Sequence, residues 1–119
     1  MDAATLQARL DVARSFSHTI GHITFRCRLI PELRVAGIYA KHPGSNVEAA
    51  RELLAETVLG MRGATTEDLH LDGKEPIDDS KEAAVMLLDD RQDIAIELAA
   101  EIASRVAKRS KVIEADAKN

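Results

Sequence analysis

Aromatic side chains are nearly missing from these 119 residues: Phe16, Phe25 and Tyr39 make up 3% of the chain, and there is no tryptophan. That scarcity removes the platforms on which single-stranded nucleic acids stack. It also leaves the core to Leu, Ile, Val and Ala. Cysteine is scarce too, since Cys27 is alone and cannot form an internal disulfide. A reducing compartment is the natural setting for such a chain. No apolar run nears the roughly 20 residues that span a bilayer, so no membrane partner is expected. The opening "MDAATLQARLDVARSF" carries charges where a secretory leader has an apolar centre, so none is expected. Positive charge is in deficit, with 16 Lys and Arg against 20 Asp and Glu and a net charge of −4. A dedicated nucleic-acid binder draws its affinity from the opposite balance. Together these absences predict a cytosolic protein that binds neither membrane nor nucleic acid.

What is present suffices for one domain. Apolar residues form 45% and charged residues 30% of the chain, as in ordinary soluble globular proteins. A chain of this length buries roughly two thirds of its unfolded surface.

Hydrophobic spacing then predicts the elements. Ala3, Leu6, Leu10 and Ala13 recur at helical period over residues 3–14, with Asp2 placed to cap. The period changes to two in "SFSHTIGHITFRCRLI". Gly21 followed by His22 suits a two-residue II′ turn, over residues 15–30. That register sets Ile20 opposite Ile23, His18 opposite Phe25 and Phe16 opposite Cys27, all on one face. The other face receives Ser15, Ser17, Thr19, Thr24, Arg26 and Arg28.

Pro31 can open a short helix over residues 31–41. Ser45 followed by Glu48 reads as a capping box. The helix it starts carries Val47, Ala50, Leu54, Val58 and Met61 on one face, with Leu53 and Thr57 beside it. Gly60 or Gly63 can end it. In the connector "GATTEDLHLDGKEPI", Thr65 or Thr66 can start a single helical turn. Asp72-Gly73 reads as a turn, and Pro76 blocks continuation. Helices over 80–88 and 91–113 complete the chain. The longer places Ile94, Leu98, Ile102 and Val106 on one stripe, flanked by Ala95, Ala99, Ala103 and Ala107. Residues 114–119 are expected to fray. The predicted class is α+β, mostly α: an N-terminal helix and β-hairpin followed by a bundle of about four helices.

The chemistry-bearing residues are few. Asp78-Asp79 and Asp89-Asp90 each precede a helical pattern, where a carboxylate can accept from backbone N–H groups and complement the dipole. No D-x-D-x-D-G loop or neighbouring His accompanies them, so Asp79 and Asp90 read as N-caps rather than metal ligands. His18 and His22 have the four-residue spacing of a helical metal pair, but they fall on the hairpin, which spoils that geometry. No nucleophile elbow and no Gly-rich phosphate loop is present. Arg26 and Arg28 could lower the pKa of Cys27, yet its position on the apolar face favours inert packing. No catalytic residue, metal ligand or cofactor site is therefore assigned. "RVAKRSK", residues 105–111, is a basic helix end whose simplest role is to favour the dipole. Ile96 and Ile113 are read as lying off the main stripe. Such an excess on a second face fits either ordinary core or contact with another chain, including a second copy.

The order of segments adds a resemblance. The hairpin "ITFRCRLIPELRV" leads into the capped "NVEAARELLAETVLGMRG". A "TTEDL" connector precedes the acidic "GKEPIDDSKEAAVMLLDDRQDIAIELAAEI", and the chain closes in "EADAKN". Over residues 19–119 this resembles a tail assembly chaperone of long-tailed bacteriophages and prophages. It departs from them in carrying Met61 where relatives often have an aromatic, and Gln92 where Pro commonly follows Arg.

The resemblance implies a non-enzymatic protein of the host cytoplasm that binds the tape measure protein. It also implies help in recruiting tail tube protein subunits, in many phages through a longer, frameshifted form, and departure before the virion is complete. Recognition would be helix-in-groove, with Ile96, Leu98, Ile102 and Val106 as anchors and Met61 and Met86 as adaptable contacts. Other readings stay open: a small histone-like DNA-associated protein, a head–tail adaptor, or a small enzyme with an Asp or His centre.

Overall fold

In the computed structural model, which describes residues 1–118, the chain runs α1 (Ala3–Arg14), β1 (Ser15–Ile20), β2 (Ile23–Arg28), α2 (Glu32–Lys41), α3 (Asn46–Thr57) and β3 (Val58–Arg62). A 3-10 turn at Thr66–Leu69 leads to α4 (Lys81–Asp90) and α5 (Gln92–Lys118). The fold is α+β and mostly helical, as the hydrophobic periods predict.

The hairpin forms in the predicted register, with Phe16 opposite Cys27, His18 opposite Phe25 and Ile20 opposite Ile23. Gly21 takes φ +62° while His22 stays at negative φ, which fits a II′ turn and excludes I′. Ile23, Phe25 and Cys27 are fully buried, and their partners on β1 are half-buried. The thiol of Cys27 is pushed up to about 12 by burial, against a weaker pull from Arg105. It is a packing residue and not a nucleophile at neutral pH.

The helix expected to run through Met61 stops at Thr57, and Val58–Arg62 becomes a third strand instead. It pairs antiparallel with β2, giving the order β1-β2-β3. The same apolar spacing can serve either period here. The second edge of β2 decides it: its unpaired backbone groups need a partner, and β-branched Val58 suits a strand. A register shift between Arg26 and Cys27 lets Val58 face Cys27 and Met61 face Phe25. Gly63, at φ +88°, ends this strand rather than a helix.

Helix starts need a second correction. Ser80, not Asp79, caps α4, its Oγ accepting from the N–H of Ala83 at 3.2 Å. Asp90 is the last residue of α4, and the break before α5 falls at Arg91. The Asp79 carboxylate is instead bonded to Arg26, and the Asp89 carboxylate to Arg51. Asp2, Ser45 and Thr65 do cap as the sequence suggests, and Asp68 completes the Thr65 capping box. Pro31 stands one position earlier than expected, at the N-cap of α2.

The core lies where α3 packs on α5 and α4 packs on β3 and α5. Ile94, Leu98, Ile102 and Val106 all face into it. Thr57, also fully buried, satisfies its hydroxyl on the Leu53 carbonyl at 2.8 Å. Arg105 stacks over the Phe16 ring, 4.2 Å from its centre, and so ties α5 to the hairpin.

Both ends of the chain run past this core. None of the residues of α1 is buried, because its stripe is half alanine and buries too little to seat the helix. The end of α5 stays helical through Lys118, including residues 114–118 where fraying is expected, and is exposed from Lys111 to Ala117. Asn119, the last position of that expected tail, lies outside the described residues.

Candidate partner-binding groove

Three helices frame a groove of about 200 Å³. α3 contributes Val47, Ala50 and Leu54, α4 contributes Val85 and Leu88, and α5 contributes Ala95 and Ile96. Val47 and Ile96 remain 47% and 50% exposed. The rim is polar: Glu48, Gln92, and an ion pair in which Arg51 meets Asp89 at 3.0 Å. Met86, a large hydrophobic side chain of α4 left 68% exposed, stands beside the groove residue Val85 in sequence. An apolar trough with a charged rim is the shape that admits a single aliphatic knob from a helix.

Local sequence explains how each wall is held. Ser45 fixes the first turn of α3 by accepting from the Glu48 N–H, which sets Val47 at its mouth. Arg91 ends α4 and turns the chain into α5. Its guanidinium donates to the Asp68 carbonyl at 2.9 Å and to the Asp93 carboxylate at 2.9 Å. This clamp fixes the start of α5, on which Ala95 and Ile96 sit.

Of the six residues expected as partner contacts, Met86 and Ile96 are exposed, and only Ile96 lines the groove. Met61, Leu98 and Ile102 show no exposure and Val106 only 6%. They are core residues, because they occupy the one stripe that α5 and β3 bury against the rest of the fold. Ile113 also needs reassignment. It follows Ile102 by eleven residues, which returns it to within about 20° of the same line along the helix. It therefore continues the buried stripe beyond the core rather than marking a second face. Ile96 does lie off that stripe.

Sequence reasoning missed the rest of the groove. Val47 belongs to the apolar face of α3 and gives no sign of being its open end. Arg51 and Asp89 are 38 positions apart, with no pattern to link them.

Several other titratable groups are paired within the fold. His22 meets Asp68 at 2.9 Å, and His42 meets Glu52 at 2.7 Å. Burial pushes Asp68 up, but the Thr65 N–H and His22 outweigh it and hold the carboxyl below its ordinary range. Glu52 is held low by Lys41 and then His42. His18 and His22 sit on a strand and in its turn, so their spacing builds no common face. Among the described residues, no three His, Cys, Asp or Glu side chains gather into a metal-holding group. No helix among them is long and apolar enough to cross a membrane.

Comparison with protein families, with curated proteins and with solved structures gives no match to this chain.

Proposed function

We propose that this protein is a non-enzymatic tail assembly chaperone of a long-tailed phage or prophage. It would work in the host cytoplasm by holding the tape measure protein and be absent from the finished virion. The observation that carries the reading is the groove between α3, α4 and α5. It offers half-exposed Val47 and Ile96 inside a rim of charge, and the tape measure of such phages is long and largely helical. A knob seated there, with Val47 and Ile96 covered, gains on the order of 1.5–3 kcal/mol per fully buried aliphatic side chain. That is a weak contact. Several copies along one long partner add strength through effective concentration, and each can still leave. Recruitment of tail tube protein, through a longer frameshifted form where one is made, belongs to the same proposal.

Co-expression tests it. The tape measure protein encoded beside this gene should stay soluble and co-purify with the wild type. With Val47→Asp and Ile96→Asp together it should precipitate. Equal solubility with the folded double variant would refute the groove as the holding site.

A further inference from the structure

We infer that the opposite end of α5 forms a second docking groove, separate from the one above, whose occupant is an acidic amphipathic helix. It has a volume of about 390 Å³. One wall is α1, with Leu10 and Arg14. The other is the overhanging end of α5, with Arg109 and Ile113, and Ile30 on the β2–α2 connection lies between them. Ile113 is 57% exposed although it continues the stripe that is buried from Ile94 to Val106. α1 buries none of its twelve residues, and an isolated helix of that length is marginal in water. Both walls therefore present apolar surface that this fold leaves uncovered.

The occupant's chemistry follows from charge and backbone. Arg14 and Arg109 make no ion pair or side-chain hydrogen bond among the described residues; Lys108 and Lys111 stand on the same overhang, between the lining residues Val106 and Ile113 in sequence, whereas Glu114 and Asp116 follow Ile113. Glu32, the single acid in the lining, accepts from the Ser110 hydroxyl, and one carboxylate against Arg14 and Arg109 still leaves the lining positive. Two guanidiniums without a partner among the described residues, set on apolar walls, select carboxylates next to an apolar stripe. Both walls are helices whose backbone groups are bonded internally. An extended segment would find no strand edge there, whereas a helix satisfies its own backbone. A second copy joined through this face by a two-fold axis would set Arg14 and Arg109 against themselves, so like charge disfavours it.

The inference stands apart from the chaperone reading and is tested without a phage component. The probe is a synthetic helical peptide of about five turns, with leucines at three- and four-residue spacing and glutamates on the flanks. A control peptide replaces every glutamate with lysine. The whole chain carries −4, so non-specific attraction would favour the lysine peptide. Fluorescence anisotropy should instead show the glutamate peptide binding at least about tenfold tighter in low salt, with the preference shrinking as salt screens it. Arg14→Glu with Arg109→Glu should reverse the preference, and Lys74→Glu, outside the lining, should leave it. Ile113→Asp should weaken both peptides. All positions are at the surface, and circular dichroism confirms folding. Hydrogen exchange in α1 should slow when the glutamate peptide is bound. Equal binding of the two peptides, or a preference for lysine in the wild type, overturns the inference. So does a dimer that Ile113→Asp dissolves, since a second copy would then occupy the groove.

Discussion

Arg26 on β2 reaches across β3 to Asp79, Nη2 to Oδ1 at 2.9 Å, over the one residue of that strand without a side chain, Gly60. A Cβ on Gly60 would stand 2.2 Å from the Asp79 oxygen and 2.5 Å from Nη2 of Arg26. The bridge holds the Asp79 carboxyl below its ordinary range and ties the approach to α4 onto the sheet. Glycine in a strand ordinarily costs roughly 0.5–1 kcal/mol against alanine. Gly60→Ala should nonetheless destabilise, because the bridge must open. In an Asp79→Ala background the same substitution should become neutral or stabilising. Urea denaturation of the four members of this cycle reads the sign change.

Cap assignments give the second prediction. Ser80→Ala removes the oxygen that accepts from Ala83 and should cost about 1 kcal/mol. Asp90→Ala, at the last residue of α4, should be neutral or slightly stabilising, since a carboxylate there opposes the dipole. Thermal unfolding of both variants separates this from the expectation that Asp90 starts α5.

These positions show how far the sequence could be read. The hairpin was legible in full, because turn chemistry and alternation fix one register. The Ile94-to-Val106 stripe was equally plain, a fixed four-residue period over a little more than three turns. β3 was not. Its partner is β2, with paired residues 31 to 38 positions earlier, and helical spacing satisfied the same residues locally. The acidic doublets misled for a related reason. A cap is a local signal, but Asp79 and Asp89 are held by Arg26 and Arg51, which only the fold brings near. The groove was legible at Ile96 alone, since it leaves the buried stripe. Leu98, Ile102 and Val106 looked available only because periodicity shows which residues share a face and not what covers it.

Acid should loosen the molecule through its paired carboxyls. Asp68, Asp79, Glu52, Glu56 and Asp93 are all held below their ordinary values. For acids depressed in the folded state, the unfolded chain takes up protons first as pH falls. Their contribution is therefore complete above the ordinary carboxylate range, roughly pH 4–5, and is lost as pH drops through their lower folded values. The urea midpoint should be flat from about pH 6 to 8 and fall below about pH 4.5. Glu52→Gln, which removes the acceptor for Lys41 and His42, should make that fall shallower.

The central claim is that Val47 and Ile96 form a partner surface while Leu98 and Ile102 belong to the core. Its most direct measurement is calorimetric titration of a soluble tape measure segment into wild type and Ile96→Asp, after the unfolding midpoints of the two have been matched. Loss of the anchor should weaken binding by at least about tenfold, or 1.4 kcal/mol, with the midpoint almost unchanged. Affinity within twofold of wild type for the folded variant would contradict the account.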